Sequence, residues 1–422
     1  MSPVQLESPV LAGGIRSVNY FNGRLLSAED LTREQAALYE QRRRIGLGLG
    51  DGIVNGLEVA ETLGVSTAGQ PVVTVRPGLA VNRNGHVVTL PTSVDVALAV
   101  PPTTDVALAR TAFAPCEPLE TGVYVAGTGV FLLVMRPAEG TEGRAPVSGL
   151  GNEAAACNVR YTVEGAQFRL IRLTMDPAEL RDVQRLRSRV AYRCFGLDDP
   201  LKTAFPRNPF GPPATQYGLL DTLRPNRLTD CDVPLAAIHW VDGQGIRFVD
   251  LWSVRRRLNG AGLDGRWDVA LADRRRGEAE AMFFQFQEHV ETLSASLLTG
   301  RDVVASDHFH FLPPVGVLPQ AETDAPRGFA HATFFRGRRY REPAFVESAR
   351  VEALLRAGLD YPPIEPGRDE AIWLYWVREN QHPRLREAAP WPPSYLIFSS
   401  GHLPLQTEVR FDVARSDYGY YA

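Results

Sequence analysis

Apolar residues recur along this chain with two different periods, and the switches between them mark out its elements. Between Ala28 and Ile45 the period is seven: Leu31, Leu38 and Ile45 stand apart, with Glu34, Gln35, Gln41 and Arg42 between them. That spacing predicts a helix whose apolar stripe is one residue wide, too thin for a self-sufficient core. Ser27 is placed to cap it, and Glu29 and Asp30 set negative charge against the dipole of its first turn. Ahead of it, Tyr20 and Phe21 have strand propensity and run into Asn22-Gly23, a pair suited to a turn with positive φ. Behind it come Gly46, Gly48, Gly50 and Gly52, read as a flexible helix end. A phosphate-cradling loop follows a strand and opens a helix. These glycines close a helix and lead into a strand, at the wrong end of the dipole for an anion.

Period two then takes over. Ile53 to Ala60, Val72 to Val75, Leu79 to Val81 and His86 to Leu90 read as short strands, with Asn84-Gly85 as a hairpin turn. Strands resume at Val123 to Met135. The Gly-, Ala- and Glu-rich run from Pro137 to Ala156 reads as a long exposed loop, and Arg160 to Leu173 as a strand bent at Gly165. Asp176-Pro177 opens a helix with Leu180, Val183, Leu186 and Val190 on one face. The proline-rich stretch from Asp198 to Pro225 reads as a linker or extended arm. Pro234 to Val241 and Ile246 to Leu251 form a hairpin through Asp242-Gly243, and the first strand, apolar on both faces, belongs inside its sheet.

Asp268 to Leu298 is the longest helical candidate. Phe283, Phe286, Val290, Leu293 and Leu297 follow a 3-4-3-4 spacing, a seam that faces either a partner subunit or the helix's own domain. A helix from Pro343 to Ala357 and strands at Ile372 to Val377 and Tyr395 to Ser399 follow. The tail places Tyr418, Tyr420 and Tyr421 together, an amphipathic surface suited to docking. The predicted class is α+β: a helix-led small β-domain over 1–115, a mixed β-rich middle domain over 116–260, and a C-terminal mixed domain over 261–422 headed by the long helix.

Composition narrows the function. Hydrophobic residues make up 44% and charged residues 22%, so ordinary packed domains are expected. The net charge of −4 gives no overall attraction to nucleic acid or an anionic membrane. The arginine triples at 42–44, 255–257 and 274–276 fan around a helix and read as solvated faces or intersubunit ion pairs. No run approaches the ~20 apolar residues of a membrane span, and the start lacks a leader pattern, so synthesis and folding in the cytoplasm are expected. Cys116, Cys157, Cys194 and Cys231 have no CxxC pair and no neighbouring histidine, neither a zinc pattern nor a dense disulfide framework.

The strongest metal candidates are His308 and His310, which share one face if they lie on a strand. No third ligand has suitable spacing, so a structural aromatic strand is the favoured reading. Ser399-Ser400-Gly401-His402 lacks the GxSxG elbow of a hydrolase. The residues therefore point to no catalytic set and no cofactor. They point to an interaction protein contacting partners through Tyr20, Phe21, Leu31, Leu38, Phe283, Phe286 and the tail tyrosines. The rivals are a carbohydrate- or receptor-binding fibre module and a metal-dependent hydrolase of envelope glycans resting on His308 and His310.

Several blocks carry a resemblance. YFNGRLLSAEDLTREQ, GDGIVNGLEV and PGLAVNRNGHVVTLP, followed by NVRYTVEGAQFRL, DCDVPLAAIHW, HFHFLPPVGVLP, YLIFSSGHLPL and FDVARSDYGYYA, resemble a bacterial family associated with phage-tail-like contractile injection systems. The likeness spans nearly the whole chain. It implies an accessory structural component near the baseplate or fibres, built into the particle through protein contacts as an oligomer, and it supplies no catalytic residues. The string IGLGLGDG departs from the family, whose members carry an Arg/His-rich helix end with an aromatic there.

Overall fold

Ser27 opens the first helix as its spacing demands: its hydroxyl accepts from the Asp30 N–H at 3.2 Å, and the Asp30 carboxylate accepts from the Ser27 N–H at 3.2 Å. This reciprocal cap starts α1 (Ala28–Leu49). The computed structural model describes residues 14–65, 70–98, 116, 127–146, 157–203, 208, 210, 216–224, 227–258, 260, 274–296, 302–320, 328–365, 370–381 and 394–406. Contrary to the flexible-end reading, α1 continues through Gly46 and Gly48 and stops at Gly50, whose φ is +89°. Gly46 is there for space: a Cβ on it would lie 2.1 Å from the backbone oxygen of Gly85. Ahead of the helix the Asn22-Gly23 turn is present, with Gly23 at φ +89°. Tyr20 and Phe21 belong to no strand, however. The Val18 N–H goes to the Glu34 carboxylate at 2.9 Å instead of to a neighbouring strand.

The short strands that follow make two antiparallel three-stranded sheets. They are β1 (Gly52–Gly56), β2 (Val59–Val65), β3 (Pro71–Val75), β4 (Gly78–Val81), β5 (Val87–Leu90) and β6 (Val94–Ala97). One sheet has the order β1-β4-β5 and the other β2-β3-β6. The single strand expected over Ile53 to Ala60 is broken at Leu57, which has a φ of +60° and is fully buried. Arg255 holds the break by donating to the carbonyls of Gly56 and Leu57.

β7 (Gly129–Pro146) and β8 (Cys157–Leu173) pair without a register shift from Val130↔Leu173 to Pro146↔Cys157. Much of the stretch read as a loop is thus strand, and the ladder runs through Gly165 without a bulge. Glycine and glutamate are poor strand formers alone, but Gly140 and Glu142 complete a ladder opposite Val163 and Tyr161. With β9 (Val233–Val241) and β10 (Gly245–Asp250) they form a sheet of order β10-β9-β7-β8, and β9 is internal, as its two apolar faces require.

This sheet is the centre of the first half. Phe131, Leu133 and Met135 turn to the face that packs on Ile53, Val73, Val75 and Val88. Val130, Leu132 and Val134 turn to the other, against Leu186 and Val190. Residues on either side of the 115/116 division therefore share one hydrophobic cluster. Leu186 and Val190 lie on α3 (Val183–Cys194), separated from α2 (Pro177–Arg181) at Asp182, so the expected single helix is two. Asp182 stays in the break as the partner of Arg185 and Arg189, each at 3.1 Å. Part of the proline-rich stretch is packed: α4 (Gly218–Thr222) follows a buried Tyr217 and contains a buried Asp221, whereas Leu201 and Phe210 are exposed.

The long helix is α5 (Arg274–Ser296). Ala281 and Met282 pack with Ala191, Phe195 and Phe311, whereas Phe286 and Val290 enter the C-terminal core. That core lies on a sheet of order β11-β15-β14-β12, with β13 beside β14. Its parts in chain order are α6 (Ala305–His308), β11 (Val315–Pro319), α7 (His331–Phe334), β12 (Arg339–Tyr340), β13 (Ala344–Val346), α8 (Val351–Gly358), β14 (Ala371–Val377) and β15 (Tyr395–Ser400). The helix expected from Pro343 begins only at Val351, because Ala344, Phe345 and Val346 pair in parallel with Tyr375, Trp376 and Val377. The protein is a mixed α+β fold. No helix among the described residues is long and apolar enough to cross a membrane.

Candidate functional site

The first helix packs by its small and polar side. Among its described residues only Ala37 and Gly46 are buried. Gly46 seats against Gly85, Arg43 donates to the Asn84 carbonyl at 3.3 Å, and the Tyr39 ring stacks on His86 at 5.6 Å. Glu40 receives Arg43 at 2.8 Å and Arg44 at 3.0 Å, and these bonds hold its carboxyl down to about 2. The apolar stripe is left outside: Leu31, Leu38 and Ile45 are 52%, 46% and 64% exposed.

The segment before the helix extends the same feature. Arg24 ties it down, donating to the Asn19 carbonyl at 2.6 Å and pairing with Asp30 at 2.6 Å, while its guanidinium lies 5.9 Å from the Phe21 ring centre. The Ser27 backbone N–H, then its hydroxyl and the Arg24 charge, hold the Asp30 carboxyl below its ordinary range. So pinned, the segment leaves Tyr20, Phe21, Leu25 and Leu26 exposed. Over the fourteen residues from Leu31 to Ile45 the helix rises about 21 Å. The stripe and the pinned aromatics present an apolar surface on a polar, well-tied mount, which does nothing chemically but offers area to a partner.

Tyr20, Phe21, Leu31 and Leu38 thus lie on one module and in the open. Phe286 does not: it is 1% exposed, with the rings of Phe309, Phe398 and Phe334 at 5.0, 5.2 and 6.5 Å, which corrects its assignment to a partner. Phe283 is half-buried against the second C-terminal cluster. Leu297, Tyr418, Tyr420 and Tyr421 lie outside the described residues. Leu25, Leu26 and the exposed Val159, Tyr161 and Val163 of β8 were not singled out in the sequence, although alternation of the last three was there to be read.

His308 and His310 are not two positions on a strand. His308 ends α6, and Phe309, extended, leads out of that helix to His310. The His310 ring stands edge-on to Tyr192 at 4.5 Å, and the His310 backbone N–H donates to the Ser188 hydroxyl at 2.9 Å. His308 lies near His289, whose pKa is driven well below its ordinary value by burial, then by Arg187 and His308. The two rings have different neighbours, so the paired-face argument for a metal is lost. His402 turns its ring to Glu370 at 3.4 Å, and Ser399 is fully buried in the sheet.

Two buried charge networks were hidden in the arginine triples and their surroundings. Arg187 donates to Asp250 at 2.8 Å, Gln285 donates to the same oxygen at 2.8 Å, and the Trp252 indole donates to Glu288 at 2.9 Å. Lys202 and Tyr217 both donate to Glu278, at 2.8 and 2.9 Å, and Arg274 bridges Glu278 and Asp221. Arg255 and Arg256 donate to backbone carbonyls, and Arg257 pairs with Glu280 at 2.6 Å. Arg255, Arg256 and Arg274 stitch the fold, which corrects their reading as solvated or intersubunit groups, whereas Arg42, Arg44, Arg257 and Arg276 are exposed, as a solvated face requires. Burial, then the charge of Asp250, pushes the Glu288 carboxyl up to about 7.

The cysteines also meet partners their spacing hides. Cys116 and Cys231 form a disulfide across a sequence separation of 115, and His86 lies beside it. Cys194 is a buried free thiol. No family model matches this chain, and no curated protein matches it either.

Proposed function

We propose that this chain is a structural and assembly component of a phage-tail-like contractile injection particle, near its baseplate or fibres. It acts through protein contacts, without catalysis. The observation that carries the reading is the exposed strip of Tyr20, Phe21, Leu31, Leu38 and Ile45 on a helix whose buried side is alanine, glycine and polar groups. A helix that spends its large apolar residues on the outside has a partner to cover them. The resemblance across the chain supports the particle, and the proposed partners are its baseplate or fibre proteins together with further copies of this chain.

Covered aromatic and aliphatic anchors contribute ~2 kcal/mol or more to an interface. Phe21→Ala with Leu38→Ala is expected to weaken capture of purified baseplate or fibre proteins by more than about tenfold. Because both side chains are exposed, circular dichroism should be unchanged. Equal capture by wild type and double variant would remove the strip from the interface.

A further inference from the structure

Outside the strip, the molecule brings together three metal-type ligands. His86 lies in the turn between β4 and β5, Cys231 in the loop that enters β9, and Cys116 in the connection between β6 and β7. A ring nitrogen of His86 and the two sulfurs lie within 4.8 Å of one another, and all three residues are buried. The Cα atoms of the cysteines are 6.0 Å apart. We propose that this cluster is a Zn2+ site whenever the Cys116–Cys231 bridge is reduced, so that one clip is closed either by a disulfide or by a metal.

The chemistry balances with an external dithiol as reductant. Its two electrons and two protons convert the bridge to two thiols while the reductant becomes a disulfide. Zn2+ then displaces one proton from each thiol and takes an imidazole nitrogen as its third protein ligand, with a solvent molecule in the fourth position. Two thiolates and an imidazole favour Zn2+ over the oxygen-seeking Mg2+ or Ca2+. At a Zn–S length of about 2.3 Å in a tetrahedron the sulfurs stand about 3.8 Å apart, within the reach of side-chain rotation.

The surroundings are built for the site. The Asn84 amide donates to the Cys231 sulfur at 3.3 Å, the kind of bond that supports a metal thiolate. Asn82 accepts from the N–H groups of Asn84 and His86, at 3.1 and 2.9 Å, and its amide reaches the Cys231 carbonyl at 3.3 Å. Tyr39 of α1 packs over both cysteines and stacks on His86, shielding the cluster. Closing the clip with the metal would therefore fasten the His86 turn under α1 to the loop that enters β9 of the central sheet, whereas the disulfide joins Cys116 to that loop alone. The inference does not depend on what covers the strip.

The test uses the full chain with Cys157→Ala and Cys194→Ala, leaving one cysteine pair. The protein is reduced anaerobically with a phosphine, freed of reductant and titrated with Co2+, with circular dichroism as the folding control. The expected result is one Co2+ per reduced chain with thiolate-to-metal charge-transfer absorption, and none in the oxidised chain. His86→Ala should weaken binding by more than about tenfold, since loss of even a residue that supports a ligand costs about 10–100-fold. If the reduced chain takes no Co2+, takes it without thiolate absorption, or takes it equally well without His86, the site is overturned. Wild type in its two redox states decides the matter if a variant fails to fold.

Discussion

Glu288 shows how a single residue can carry opposing demands. Its carboxyl accepts from the Trp252 indole at 2.9 Å, yet burial and the nearby Asp250 disfavour its charge and lift its pKa from 4.5 to about 7. A folded pKa above the unfolded one gives stability that is full below the unfolded value and is lost as pH rises through the folded one. Glu288→Gln keeps an acceptor for the indole and removes that loss. Its urea midpoint should therefore gain on wild type as pH is raised from about 5 to about 8, where the wild-type carboxyl is ionised. The buried His289 works in the opposite sense, losing stability as pH falls below 6.5, and cancels in the comparison. A variant that falls behind wild type at the higher pH would mean that Glu288 is held ionised by Arg187 instead.

At the scale of elements, α1 shows where local signals end. Ser27, Glu29 and Asp30 predict its start correctly because a cap is made by neighbours in sequence. Its end could not be placed that way. Gly46 and Gly48 look alike in the sequence, but one faces the backbone of Gly85 and the other has no atom within 4 Å of its would-be Cβ. Gly48→Ala should stabilise by up to ~1 kcal/mol through helix propensity. Gly46→Ala should destabilise by ~1–3 kcal/mol through overpacking against backbone that cannot rotate away. Thermal denaturation with proteolysis of α1 reads both, and equal effects would remove the crossing as the reason for Gly46.

For the whole molecule, α5 is the connecting member. Its Ala281 and Met282 belong to a cluster with α3, and its Phe286 and Val290 to the C-terminal core. Phe286→Ala should cost ~3–5 kcal/mol, because the surrounding aromatic rings cannot collapse to fill the space. Phe286→Asp should unfold the C-terminal half and not release a soluble monomer. Circular dichroism and light scattering on both variants distinguish the outcomes, and a folded Phe286→Asp monomer would restore the seam to a partner interface.

Patterns with a short reach were legible from residues alone. The mixed α+β class, the cap of α1, the turns at Asn22-Gly23 and Asn84-Gly85 and the central position of β9 follow from propensities and periods within a few neighbours. The exposed strip was half legible: the seven-residue spacing of Leu31, Leu38 and Ile45 was visible, but not which side of the helix would be buried. That depended on Gly46 meeting Gly85. Strand in the glycine- and glutamate-rich part of β7 needed β8 opposite it, and the break at Leu57 needed Arg255 to take its carbonyl. Phe286 could have faced a partner or a core until Phe309, Phe334 and Phe398 closed around it. His86, Cys116 and Cys231 carry no spacing signal at all, because groups far apart in sequence become neighbours only when the sheets that hold them pack.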